Sequence, residues 1–148
     1  MGYCMELVGE DFFIEASKKD AALAAIKALA TETDKMSGFT SRGGAIIERH
    51  FSWVTTENFV NAKTLAQAMQ EWQWLADEDA DGNITYISFE GEKLGDDGVL
   101  FEAIAPFVKD GSYIEMSGED GCRWMWCFKN GKMTEKTAKF VYDEDEDE

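Results

Sequence analysis

The sequence predicts an α+β domain: an antiparallel sheet with a C-terminal three-stranded meander and about three helices packed on one face. Three observations carry this. The last third alternates apolar and polar residues over 113–117, 122–128 and 133–142, separated by Gly118-Glu119-Asp120-Gly121 and Lys129-Asn130-Gly131-Lys132. Asn-Gly between alternating runs is the strongest short hairpin signal, because both residues accept positive φ. Apolar stripes with helical spacing lie upstream of these runs. Finally, 45% hydrophobic and 13% aromatic residues over 148 positions are enough for one substantial core.

Taken in order, residues 3–8 and 12–15 read as two short strands around a Gly9-Glu10-Asp11 turn. Ser17 reads as the N-cap of a helix over 21–30, with Asp20 in a capping-box-like place. Leu23, Ile26, Leu29 and Ala30 form its apolar stripe. The polar, glycine-containing stretch 31–44 reads as a mobile loop. Residues 45–55 read as a strand with Ile47, Arg49, Phe51 and Trp53 on one face and Glu48, His50 and Ser52 on the other. Thr64 and Gln67 form a capping box for a short helix over 65–72, and Trp72-Gln73-Trp74 alternates as extended chain does. Asp81-Gly82 turns into an inner strand over 84–90, apolar on both faces. Asp96 is placed to cap a third helix with Leu100, Phe101 and Ile104 as its core face, ended or bent by Pro106. The expected organisation is one domain over 1–142 and an acidic tail over 143–148.

Charge dominates the rest of the sequence. Thirty acidic and fourteen basic residues leave a net charge of −16. The tail supplies only six of these charges; between Glu71 and Asp120 fourteen acidic residues face only Lys93 and Lys109. Such a balance disfavours direct contact with nucleic acid or an anionic membrane, since phosphate contacts need clustered Lys and Arg. A basic protein is the natural partner. Three cysteines without dense spacing, no N-terminal basic-then-apolar segment and no membrane-length apolar run lead to the expectation of a cytoplasmic protein.

Several motifs invite a specific chemistry. Asp77-x-Asp79-x-Asp81-Gly82-x-Ile84 matches positions 1, 3, 5, 6 and 8 of a calcium loop, where alternate carboxylates converge and glycine permits the bend. Position 12 is Ser88 instead of the bidentate Glu, and Glu90 stands two residues too far. Trp124, Trp126 and Phe128 share a strand face, which suits a core more often than a base-stacking platform. Arg123, Met125 and Cys127 face the other way, followed by Lys132, Lys136 and Lys139. Catalysis has little support. His50 is the single histidine, Cys122 and Cys127 fall on opposite strand faces, and the carboxylates Glu90, Glu92, Asp96 and Asp97 are ordinary in so acidic a chain. There is no phosphate-cradling Gly-Lys-Ser/Thr loop.

The sequence therefore points to a non-enzymatic, acidic protein-binding domain without a required cofactor. In its most concrete form it inhibits a basic nucleic-acid-handling enzyme by setting carboxylates where phosphates would lie. Small nuclease inhibitors, immunity proteins and anti-defence proteins work in this way, an analogy of charge and size. The expected contact residues are Asp77, Asp79, Asp81, Asp96, Asp97, Glu102, Glu119 and Asp120. Two alternatives stand beside it. One is a weak calcium module through Asp77, Asp79 and Asp81. The other is a small ligand-binding domain or enzyme around His50, which requires a concave pocket at that strand.

Overall fold

The computed structural model describes residues 2–143, and of Ile47 only the backbone. Within that span the chain forms eight strands and four α-helices, all pairings antiparallel. The principal sheet joins β1 (Met5–Asp11), β6 (Tyr113–Gly118), β7 (Arg123–Lys129) and β8 (Lys132–Thr137) in the order β1-β6-β7-β8. The C-terminal meander is thus β6-β7-β8, with the N-terminal strand added to its free edge. At the β7–β8 turn Asn130 has φ 54° and Gly131 φ 75°, the two left-handed residues that a tight hairpin requires.

Register explains which face is buried. Ile114 pairs with Trp126 and Met116 with Trp124, and all four side chains point inward. Phe101, on helix α4 (Asp97–Ile104), packs against this face. Its ring centroid lies 5.2 Å from that of Trp126 and 5.0 Å from that of Trp74. Phe12 and Phe128 extend the cluster edge-on. Leu100 and Ile104 are buried beside Phe101, as the helical spacing predicts, and α4 gives way to a 3-10 turn containing Pro106. The row Trp124, Trp126, Phe128 is therefore core, and the basic outer face of β7 and β8 carries no aromatic row.

Several elements differ from the sequence reading, each for a local reason. The two N-terminal strands are one: β1 runs through Gly9-Glu10-Asp11, absorbing the irregularity as a bulge between Leu7 and Gly9. Ser17 is not the cap of α1 (Lys19–Ala28). A 3-10 turn over Ala16–Lys18 precedes it, Ser17 Oγ donates to Glu15, and the acceptor for the Ala16 N–H is Asn83 Oδ1 at 2.8 Å. Residues 31–44 are not a loop: they include β2 (Gly38–Arg42), which pairs with β3 (Ala45–His50). Strand β3 stops at His50, because Trp53 turns the chain with φ 66°. Phe51 is then buried and Trp53 exposed, so they share no face; the orientation expected for Ile47 lies outside the described residues.

Helix α2 (Thr56–Val60) has no counterpart in the sequence reading. It delivers Phe59 to a second aromatic group, where Phe51 and Trp72 lie 4.8 Å apart between ring centroids. The Thr64–Gln67 box does open α3 (Leu65–Glu71): Thr64 Oγ1 accepts from the Gln67 N–H, and Gln67 Oε1 accepts from Lys63. Strand β4 (Trp74–Glu78) follows Gln73, at φ 71°, and pairs with β5 (Ile84–Phe89). Strand β5 is thus half of a two-stranded ribbon rather than an inner strand, with Thr85 and Tyr86 exposed. Strand β8 ends at Thr137, and Phe140, Val141 and Tyr142 stand in solvent.

Candidate functional site

The eight carboxylates expected to meet a partner divide into exposed groups and groups occupied by the fold. At the β4–β5 turn, Asp79 is the organiser. Its Oδ1 accepts from the N–H groups of Asp81 and Asn83, both at 2.9 Å, and its Oδ2 from Asn83 Nδ2 at 3.1 Å. Those hydrogen bonds, Asn83 foremost, hold its carboxyl below the usual aspartate range. Asn83 in turn accepts from Ala16, tying the turn to the entry of α1, and Lys19 pairs with Glu78 at 2.9 Å. Asp77 and Asp81 flank this turn and are exposed.

The calcium-loop spacing has a definite local geometry here. The aspartate spacing makes an Asx-type hairpin turn in which Asp79 is spent on its own backbone. Ser88, at the twelfth position, lies on β5 and donates to Glu90 at 3.1 Å. Among the described residues no three His, Cys, Asp or Glu side chains gather as a metal site would require.

Around α4 the roles separate sharply. Asp97, only 4% exposed, accepts from Trp74 Nε1 at 2.8 Å and from the Gly95 N–H at 2.9 Å; it is a core residue, not a surface one. Burial pushes its carboxyl above the ordinary range, partly offset by those two bonds. Asp96 occupies the N-cap position without capping. Its Oδ2 accepts instead from Ser37 N at 3.1 Å, Ser37 Oγ at 2.9 Å and Ser52 N at 2.9 Å. Glu102 remains exposed on the outer side of the helix.

At the β6–β7 turn, Glu119 accepts from the Cys4 N–H, and Asp120 accepts from the Tyr3 hydroxyl, from Cys122 N at 3.1 Å and from Cys122 Sγ at 3.5 Å. Both acids come together over the N-terminal segment and anchor it. The Tyr3 hydroxyl is pushed up to about 12, chiefly by its bond to Asp120. The three cysteines are free thiols.

Of the expected contact residues, Asp77, Asp81 and Glu102 are therefore exposed, and their carboxylates enter no side-chain hydrogen bond or ion pair among the described residues. Glu144–Glu148 of the acidic tail lie outside the described residues. His50 is half-buried at the end of β3, and Ser52 is in the turn beyond it, so the expected His50–Ser52 strand face does not form. What sequence reasoning missed is Trp53: an isolated tryptophan carries no signal of exposure until the turn at 51–54 is seen. Among the described residues no helix is long and apolar enough to cross a membrane. Comparison with protein-family models, with curated proteins and with solved structures gives no match to this chain.

Proposed function

We propose that this chain is a non-enzymatic protein-binding domain whose exposed carboxylates engage a basic protein. The form that the charge favours is inhibition of a nucleic-acid-handling enzyme by occupation of its phosphate-binding surface. One observation supports the reading above the others. Residues 2–143 contain twenty-five acidic and fourteen basic side chains, yet the described residues form only three ion pairs: Lys19–Glu78, Lys35–Glu32 and Arg123–Glu115. The negative surface is left largely uncompensated. A structural use of acidity consumes carboxylates, as Asp79, Asp96, Asp97 and Asp120 are consumed here; Asp77, Asp81 and Glu102 are not.

The test is affinity capture from lysate at low and high salt, followed by assay of the captured enzyme on its nucleic-acid substrate. The full chain is compared with one ending at Tyr142 and with Asp77→Asn/Asp81→Asn/Glu102→Gln. The expected result is capture of a basic nucleic-acid enzyme at low salt, release at high salt, and loss of its activity when the chain is added. The triple variant weakens capture roughly tenfold. Capture indifferent to salt and to the triple variant overturns the reading.

A further inference from the structure

A concave site of about 490 Å³ opens where β3 runs into α2, walled by Glu48, His50, Trp53, Glu57, Thr55 and Thr56. Asp77, Asp81 and Glu102 do not line it, so it stands apart from the acidic contact residues above. We propose that it binds a guanidinium group, stacked on Trp53 and held by the carboxylates of Glu48 and Glu57.

Trp53 is the fixed wall of this site. It holds φ 66°, a conformation that bulky residues adopt only where the surroundings impose it. Those surroundings are visible. Asp96 grips the Ser52 N–H at 2.9 Å, and Ser52 Oγ shares a 2.6 Å hydrogen bond with Ser37 Oγ. Gly95 leaves room for the indole: a Cβ there would stand 2.9 Å from Trp53 Cδ1. Gly2 lies against the far end of the ring, where a Cβ would stand 3.3 Å from Trp53 Cζ2. The ring is therefore closely approached by two glycines, yet 49% of the residue remains exposed to solvent. A fixed, half-bare indole is a pre-ordered stacking surface.

The polar groups around it select the ligand by sign. Glu48 and Glu57 are exposed carboxylates, which only accept; among the described residues no Lys or Arg lines the site, and Lys93 packs against Gly2 outside it. His50 Nδ1 lies 2.9 Å from the Phe51 carbonyl; a carbonyl cannot donate, so Nδ1 carries a proton and that bond fixes the ring at the wall of the site. Gly38 fits the imidazole closely, since a Cβ there would stand 2.6 Å from His50 Cε1. The side chains thus offer an aromatic face and two carboxylates. A guanidinium matches this set: it is planar, stacks on indole, never deprotonates and spreads five donors in a fork.

The experiment is an NMR titration of the full chain, following the Trp53 indole N–H and the backbone amides of residues 48–57. The probes are Nα-acetyl-arginine amide, the uncharged isostere Nα-acetyl-citrulline amide, Nα-acetyl-lysine amide and a capped Gly-Arg-Gly peptide. The expected result is saturable shifts confined to this region with arginine amide at millimolar concentration, and none with citrulline amide. Lysine amide should bind several-fold more weakly, since it cannot stack as a plane. Glu48→Gln/Glu57→Gln, both at exposed positions, should weaken binding at least tenfold, whereas Asp77→Asn/Asp81→Asn/Glu102→Gln should leave it unchanged. Clearly tighter binding of the peptide identifies a protein side chain as the natural source, and equal binding a free guanidino compound; both support the site. Absence of saturable shifts, equal response to citrulline or lysine amide, or indifference to the double Glu variant overturns it.

Discussion

The carboxylate of Asp97 accepts the indole N–H of Trp74 at 2.8 Å, with Trp74 fully buried and Asp97 almost so. This bond links the start of α4 to the first residue of β4, beneath the aromatic cluster of Phe101 and Trp126. Asp97→Ala removes the acceptor and leaves a donor stranded in the core. The expected loss of stability is about 2–4 kcal/mol by urea unfolding. Asp97→Asn keeps one acceptor oxygen for the indole but none for the Gly95 N–H. It should lose about 1–2 kcal/mol.

The same residue sets a pH dependence whose sign follows from its burial. Its carboxyl is raised in the folded state, with desolvation the first cause. Above the ordinary aspartate pKa of about 3.9, the native state then binds more protons at this site than the unfolded chain does. The contribution is fully present below that value and is lost as pH rises through the higher folded pKa. The melting temperature should therefore fall more steeply in the natural protein than in Asp97→Asn as pH rises above about 4. The variant controls for repulsion among the other acids, and equal slopes would show that Asp97 titrates normally.

Asp96 makes a separate prediction. Its single oxygen Oδ2 gathers Ser37 N and Ser37 Oγ just before β2 and Ser52 N just after β3, so it ties together the two open ends of the β2–β3 ribbon. A two-stranded ribbon is marginal alone, and most of this one is exposed. Asp96→Ala should cost about 1–2 kcal/mol and release the ribbon locally. Trypsin should then cut at Arg42 and Arg49 several-fold faster, with little change at Lys129 and Lys132. Unchanged cleavage would show that the ribbon is held by other means.

How much of this was legible depends on whether a residue's role is local. Asn130-Gly131 and the Thr64–Gln67 box are local: both could be read because the partner groups lie within a few positions. Leu100, Phe101 and Ile104 were equally legible from spacing. Ser17 failed because Asn83, distant in sequence, supplies the acceptor. Asp79 reads as a metal ligand when only carboxylate spacing is counted, while Asn83, which claims both its oxygens, carries no weight in that motif. The burial of Asp97 between Trp74 and Gly95 is a tertiary fact, invisible beside thirty acids. For the same reason Trp53 gave no sign of its exposure.

The Asn130-Gly131 turn offers a test of how firmly the meander is closed. Gly131 at φ 75° has space for a methyl group, the nearest atom to a built Cβ being Pro106 Cα at 3.7 Å. Any cost of Gly131→Ala is therefore conformational, about 1–2 kcal/mol for an L-residue in the left-handed region. Asn130→Gly should be within about 0.5 kcal/mol of the natural protein, since glycine takes this φ freely at some entropic cost. Chemical denaturation of the two variants checks the pair. A larger loss at Asn130 would mean that its side chain, rather than its backbone, holds the turn.

The Asp120 cluster predicts thiol chemistry. Asp120 accepts from both Tyr3 and Cys122, and that hydrogen bond together with the nearby negative charge raises the Cys122 thiol. An exposed cysteine would ordinarily alkylate readily; here the raised thiol makes its thiolate scarcer than at an unperturbed cysteine. Asp120→Asn removes the charge and replaces an acceptor-only group with an amide. The Cys122 pKa should fall, and its reaction with iodoacetamide at pH 8 should speed up by roughly threefold or more. Cys127, on the outer face of β7, serves as the internal reference in the same digest. The Tyr3 hydroxyl should move with it, from about 12 back toward an ordinary tyrosine near 10, read as phenolate absorbance on alkaline titration. If neither the alkylation rate nor the phenolate midpoint moves, Asp120 does not govern these two groups, and the anchoring of the N-terminal segment would rest on Glu119 and the Cys4 N–H.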